Sequence, residues 1–302
     1  MARITIALAA LAVAGVVVFL WLTRPDPLPE ATLAALPPGD AARGEGVFWA
    51  GGCASCHAAP GAEGEAKLVL AGGHRLKTPF GTFVAPNISP NAKHGIGTWT
   101  AGDFANAMLR GLSPRGEHYY PAFPYTYYAR MDVADVADLF AYLKTLPEDP
   151  TPWAGNELSF PFNVRRGLGL WKVLHLDPAP VTASSSDPAI ERGRYLVEGA
   201  AHCGACHTPR NALGGPDRDR YLAGGPAPEG KGRVPGLRPG QLEWSASDIV
   251  ESLTSGFTPE YDSLGGSMAD VVHNTSRLPD ADRAAIAAYL KSLAPLEPAP
   301  GG

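Results

Sequence analysis

Positive charge is in short supply: 25 Lys and Arg stand against 30 Asp and Glu, a formal net charge of −5. A chain so balanced lacks the basic surface that nucleic-acid binding needs. Cysteine is scarce as well. The four cysteines fall into two Cys-x-x-Cys-His units, Cys53-Ala54-Ser55-Cys56-His57 and Cys203-Gly204-Ala205-Cys206-His207, leaving none for a disulfide. Methionine, also four in number, leaves few thioethers to act as metal ligands. By contrast, the 35 Gly and 30 Pro exceed a fifth of the 302 residues, against a usual share of roughly 12%. This predicts short helices tied by long ordered loops, and the 45% of hydrophobic residues supplies the cores.

The N-terminus sets an expectation about compartment. Arg3 precedes an uncharged, mostly apolar run from Ile4 to Leu22, which as a helix spans roughly 28 Å, close to a bilayer core. A removable signal has a shorter apolar stretch followed by small residues. Here the small residues (Ala7 to Ala14) come first and the bulky Phe19, Leu20, Trp21 and Leu22 last. The segment therefore reads as an uncleaved anchor with Trp21 at the interface, a removed signal being the alternative. Arg24-Pro25-Asp26-Pro27 ends the helix.

Cys-x-x-Cys-His is the signature of c-type haem attachment. Two thiols three residues apart can each form a thioether to a porphyrin vinyl edge, and the adjacent histidine then lies beneath the iron as proximal ligand. A structural zinc site needs four ligands, and each unit supplies three. Two intact copies predict two covalent haem c groups, attached through Cys53, Cys56 and His57 and through Cys203, Cys206 and His207.

The rest of the sequence repeats with the motif. Arg43-Gly44-Glu45-Gly46-Val47-Phe48 precedes the first and Arg192-Gly193-Arg194-Tyr195-Leu196 the second, each read as a short helix with an aromatic facing the haem. Leu-Ala-Gly-Gly follows each motif, at Leu70 to Gly73 and Leu222 to Gly225. Ala-Tyr-Leu-Lys closes each block, at Ala141 to Lys144 and Ala288 to Lys291, with Asp135 and Asp282 at matching places. The expected fold is all-α, two tandem class I cytochrome c domains in which first and last helices cross.

Trp99-Thr100-Ala101-Gly102-Asp103 aligns without a gap to Trp244-Ser245-Ala246-Ser247-Asp248, and the same offset pairs Phe123 with Met268. Methionine is a common sixth ligand in cytochromes c, so Met268 is expected to reach the second iron from a strand-like loop after Gly265-Gly266-Ser267. Phe123 offers no lone pair. For the first iron Met131 is the leading candidate, with His118 or an open position as alternatives, and Met108 is read as core. His74, His94, His175, His202 and His273 lack ligand spacing and are read as loop or surface residues.

Thr78-Pro79-Phe80-Gly81-Thr82-Phe83, Pro86-Asn87-Ile88-Ser89-Pro90, Gly95-Ile96-Gly97-Thr98-Trp99, Tyr120-Pro121-Ala122-Phe123-Pro124-Tyr125 and Phe160-Pro161-Phe162-Asn163 together resemble the multihaem cytochrome c subunits of membrane-bound periplasmic dehydrogenases of the alcohol and gluconate type. The resemblance runs from about residue 40 to 294. Members often carry three haem domains and commonly have Met where Phe123 stands. The resemblance implies a non-catalytic electron-transfer subunit with a periplasmic dehydrogenase as donor and the quinone pool, an oxidase or a small cytochrome as acceptor. A dihaem subunit of a terminal oxidase and a peroxidase-like dihaem enzyme are the alternatives.

The expected layout is an anchor at 1–23, a Pro-rich tether at 24–39, cytochrome c domain one at 40–147, a packed bridge at 148–186, domain two at 187–295 and a tail at 296–302. The location implied is the inner (cytoplasmic) membrane, with both haem domains in the periplasm. The bridge is expected to bury Trp153, Phe160, Phe162, Leu168, Leu170, Trp171, Val173 and Leu174 against the domains, with the hinge at Ser184-Ser185-Ser186.

Overall fold

The computed structural model describes residues 2–227 and 232–296; all of the expected tail except Leu296 lies outside them. The first half follows the apolar helix α1 (Ala2–Leu22) with α2 (Glu30–Ala34), α3 (Ala41–Ala50), α4 (Cys53–His57), α5 (Ala101–Arg110), α6 (Tyr125–Tyr128) and α7 (Val133–Leu143). A connecting segment carries α8 (Gly167–His175). The second half then runs through α9 (Pro188–Tyr195), α10 (Gly204–His207), α11 (Ala246–Ser255), α12 (Ser267–Thr275) and α13 (Asp280–Ser292).

The chain is mostly helical, but the all-helical expectation needs correction. Strands β1 (Arg75–Thr78), β2 (Gly81–Val84) and β3 (Glu157–Leu158) form an antiparallel sheet, and β4 (Gly225–Pro226) pairs with β5 (Arg233–Val234). Thr78-Pro79-Phe80-Gly81 makes the first hairpin. The Thr78 hydroxyl donates to the Gly81 carbonyl at 2.9 Å, and Gly81 takes φ 125°, which a side chain would resist. β3 adds the connecting segment to this sheet through Gly81 opposite Leu158.

In each half the first and last helices cross at a glycine. A β-carbon on Gly44 would lie 2.0 Å from the Asp138 carbonyl oxygen, and one on Gly193 would lie 1.9 Å from that of Ala285. Only hydrogen fits at either contact. The crossing of α3 and α7 is clamped by Arg43, whose guanidinium donates to both Asp138 carboxylate oxygens at 2.7 and 2.9 Å. Arg192 grips Asp282 in the same fashion, both contacts at 2.8 Å. The helices after Trp99 and Trp244 both start on capping boxes, Thr100 with Asp103 and Ser245 with Asp248. Both stop on left-handed glycines, Gly111 and Gly256.

The connecting segment divides into a held part and an exposed part. Buried Glu198 accepts from the backbone N–H groups of Val181 (2.6 Å) and Thr182 (3.0 Å) and from the Tyr289 hydroxyl (2.7 Å). Arg130 donates to the carbonyls of Asp177 and Ala179. At the expected hinge the Ser185 N–H donates to Glu191. Burial of the eight apolar side chains holds for only a minority. Leu168 and Trp171 are partly buried, while Trp153, Phe160, Phe162, Leu170, Val173 and Leu174 are exposed. α8 turns Gly169 and Lys172 inward in their place.

α1 is apolar, solvent-facing from end to end, and long enough to cross a bilayer. It ends in a fixed joint. Thr23 is fully buried, its carbonyl accepts from His118 Nε2 at 2.9 Å, and its hydroxyl accepts from Arg166 at 2.8 Å. Arg166 also donates to the Leu20 carbonyl at 2.7 Å, capping the negative end of the helix.

Candidate functional site

Each Cys-x-x-Cys-His unit is a single helical turn, α4 and α10, that follows the block's first helix. The residue before the first cysteine is left-handed in both: Gly52 at φ 58° and His202 at φ 38°. Glycine takes this conformation freely and histidine pays in strain. His202 is held by its Nδ1 against the Ala200 carbonyl (3.1 Å) and by the edge of Tyr128, ring centroids 5.2 Å apart. It is a loop residue, as expected, and a packed one. His273 likewise packs, on Trp49 at 6.0 Å.

Both histidines of the motifs are oriented identically. His57 Nδ1 lies 2.8 Å from the Pro86 carbonyl and His207 Nδ1 lies 2.8 Å from the Pro235 carbonyl. A carbonyl can only accept, so the proton sits on Nδ1 and the Nε2 lone pair is left for a metal. Burial is the first cause that lowers the pKa of each ring, outweighing the backbone bond that raises it, which favours the neutral, ligating form. The loops that supply these carbonyls are themselves tied down. Gly72 and Gly224 donate to the carbonyls of His57 and His207, both at 2.7 Å. Ile88 and Leu237 donate to those of Leu70 and Leu222 at 3.0 and 2.9 Å. The repeated Leu-Ala-Gly-Gly is thus the brace of each histidine. Pro86 and Pro235 were the functional residues missed in the sequence, although each lies 29 or 28 residues past its histidine.

Burial pushes the thiols of Cys53 and Cys203 up to about 12. Among the described residues no three His, Cys, Asp or Glu side chains gather as an ion site. The donor set therefore fits iron held within a porphyrin, with the cysteines as its covalent tethers.

The two motifs share one wall. Tyr127 and Tyr128 are adjacent on α6. The Tyr127 hydroxyl donates to the Gly204 carbonyl inside the second motif at 2.7 Å, and the Tyr128 hydroxyl donates to the Gly51 carbonyl just before the first at 3.3 Å. In return α12 of the second half covers the first motif. Asn274 Nδ2 donates to Ser55 Oγ at 2.8 Å and Lys67 pairs with Asp270 at 3.2 Å. Tyr195, expected to face the second haem, instead donates across the halves to Asp135. The Cys56 thiol is raised first by desolvation and next by the nearby Cys206.

The sixth-ligand candidates fall in distinct places. Met268 lies in the first turn of α12, a helix where a strand-like loop was expected. Asp270 and Asn274 face the first half, whereas Val272 packs towards Gly256 and Thr275 bonds the Leu253 carbonyl. Met268 shares the stripe of Val272 and Thr275 at i, i+4 and i+7, the side of its own half. Met131 is buried just before α7, with Cγ 3.6 Å from where a β-carbon on Gly199 would stand. Phe123 is surrounded by Tyr119, Tyr125 and Tyr128. His118 is committed to Thr23.

A paired covalent attachment site with braced histidines defines a c-type haem protein. The chain matches the cytochrome c family over residues 41–147 and 190–294, and it belongs to that family. It is 58% identical over 294 residues to a "Diheme cytochrome c-type" protein of Cereibacter sphaeroides, covering 97% of this chain and 99% of that one. It is 38% identical over 259 residues to the fructose dehydrogenase cytochrome subunit of Gluconobacter japonicus, covering 83% of this chain and 52% of the relative. It is 36% identical over 266 residues to the gluconate 2-dehydrogenase cytochrome c subunit of Pantoea cypripedii, covering 83% and 59%. The chain thus spans little more than half the length of those two dehydrogenase subunits. It is a dihaem electron-transfer cytochrome with two covalently bound haem c groups.

Proposed function

We propose that the chain accepts electrons from a periplasmic dehydrogenase at one haem, passes them to the other, and delivers them to the quinone pool, an oxidase or a small cytochrome. It does so as two tandem class I haem domains anchored in the cytoplasmic membrane by α1, with the domains on the periplasmic side. The haem attached through Cys53, Cys56 and His57 takes Met131 as sixth ligand, and that attached through Cys203, Cys206 and His207 takes Met268.

The haems supply the one-electron iron couple. The chain's residues hold that couple in place. The carbonyls of Pro86 and Pro235 fix the ring orientation of the proximal histidines and raise their basicity as ligands. Tyr127, Tyr128 and Asn274 lock the two motifs to a common wall. The observation that carries the reading is this convergence: electron transfer within one chain needs its two centres held at constant separation, and the halves are bolted together at their attachment sites.

The test is gentle solubilisation of the membranes and purification of the tagged cytochrome. Co-purification of a dehydrogenase whose substrate reduces both haems supports the reading. Recovery with an oxidase alone, and haems that no dehydrogenase substrate reduces, contradicts it.

A further inference from the structure

α8 is built inside out for a helix in water. Its buried side carries Gly169 and Lys172, which is only 8% exposed. Lys172 Nζ donates to the carbonyls of Arg110 and Gly111, both at 2.7 Å, at the C-terminus of α5, and lies 4.9 Å from the centre of the Tyr125 ring. The outward side carries Leu170, Val173 and Leu174, exposed by 41%, 60% and 61%. Their i, i+3, i+4 spacing makes one apolar stripe. The chain just before it adds Phe160, 80% exposed, together with Phe162 and Val164.

Through its buried side and its first turn, α8 adjoins the end of α1. Gly169 touches Thr23 so closely that a β-carbon would lie 2.6 Å from Thr23 Cα. Arg166, one residue before α8, holds Thr23 and the Leu20 carbonyl. Trp21 is exposed with the Arg24 guanidinium 5.2 Å over its ring, an aromatic and a cation at the level where a span leaves the hydrocarbon.

We propose that α8 and the preceding 160–164 loop rest in the headgroup layer of the bilayer, a monotopic foot beside the exit of α1. The inference rests on the reading that α1 spans the membrane. A bilayer surface is the occupant because α8 adjoins a span of bilayer length. Apolar side chains enter the acyl boundary there without needing a complementary protein surface. Two bonds at Thr23, one at Leu20 and the lipid contact of α8 fix the tilt of the first half over the membrane, so the haem units do not swing on a loose tether.

The test places the photoreactive residue p-benzoylphenylalanine at Leu11, Leu174 or Glu251 of the full holo-chain in nanodiscs of mixed zwitterionic and anionic phospholipid. Glu251 is an exposed residue of α11 in the second half. After irradiation, mass spectrometry reads the lipid adduct. The foot predicts adducts at Leu11 and at Leu174 and their loss at Glu251. Adducts at Leu11 without any at Leu174 overturn the foot and leave the span intact. No adduct at Leu11 overturns the span and the foot with it. A protein adduct replacing lipid at Leu174 in native membranes overturns the foot in favour of a partner subunit.

Discussion

Pro86 and Pro235 each aim a carbonyl at a histidine Nδ1–H, and side chains around them have correspondingly separate duties. His118 shows how a neighbour decides such a duty. As a bare sequence feature it competes for the first iron, yet its Nε2 is spent on Thr23 and its Nδ1 is buried without a partner. Its ring pKa is lowered by burial, a cost that the Thr23 bond only partly offsets. We propose Met131 as the ligand of the first haem, an open position being the alternative, and Met268 as that of the second. Thioether ligation raises the potential of a haem relative to bis-imidazole ligation. Met268→His is therefore expected to lower one of the two midpoints in a spectroelectrochemical titration and leave the other in place. Met131→His is expected to lower the other. If both variants shift the same midpoint, or neither shifts any, the ligand assignment is wrong.

Elements meet where side chains are smallest. The crossings at Gly44 and Gly193 leave no space for a methyl group, and a backbone carbonyl is the obstacle rather than a flexible side chain. Gly44→Ala or Gly193→Ala is expected to destabilise by roughly 1–3 kcal/mol, the usual cost of overpacking, measured by denaturant unfolding followed through haem absorbance. The clamp across α3 and α7 adds a pH dependence. Burial by itself would raise the Asp138 pKa, but the Arg43 guanidinium and the Asp40 N–H outweigh it and hold it below the usual carboxylate value. Because the folded-state value is depressed, the stabilisation is present above the unfolded value and is lost as pH falls through the folded one. Asp138→Asn should lower stability at pH 7, with the gap to the parent closing below about pH 4. A gap that is constant with pH would contradict this.

The sequence carried the helices, both attachment motifs and the internal repeat, since each depends on short-range pattern: motif spacing, capping boxes at Thr100 and Ser245, closing Ala-Tyr-Leu-Lys helices. What it did not carry depends on contacts between distant residues. The histidine braces at Pro86 and Pro235 and the small sheets arise from loop closure over tens of residues. Tyr195 serves Asp135 rather than a haem because packing between the halves overrode the local pattern, and α8 faces its apolar side outward because Gly169 packs on Thr23 and Lys172 bonds the end of α5.

The whole molecule is held as one unit by such contacts. Glu198 fastens the connecting segment to the second half, and Glu198→Ala would strand the N–H groups of Val181 and Thr182. Leaving buried donors unpaired is expected to cost on the order of 3 kcal/mol, seen as an earlier unfolding transition with the visible spectrum of the folded state unchanged. The central claim at this scale is that two haems fixed to a common wall exchange electrons inside one chain. The most direct measurement is photoreduction of the purified holo-chain with less than one electron per molecule, followed by transient absorption as the electron redistributes between the haems. Redistribution at a rate independent of protein concentration is the predicted result. A rate that scales with concentration, or an electron that stays on the haem of lower potential, would contradict the account.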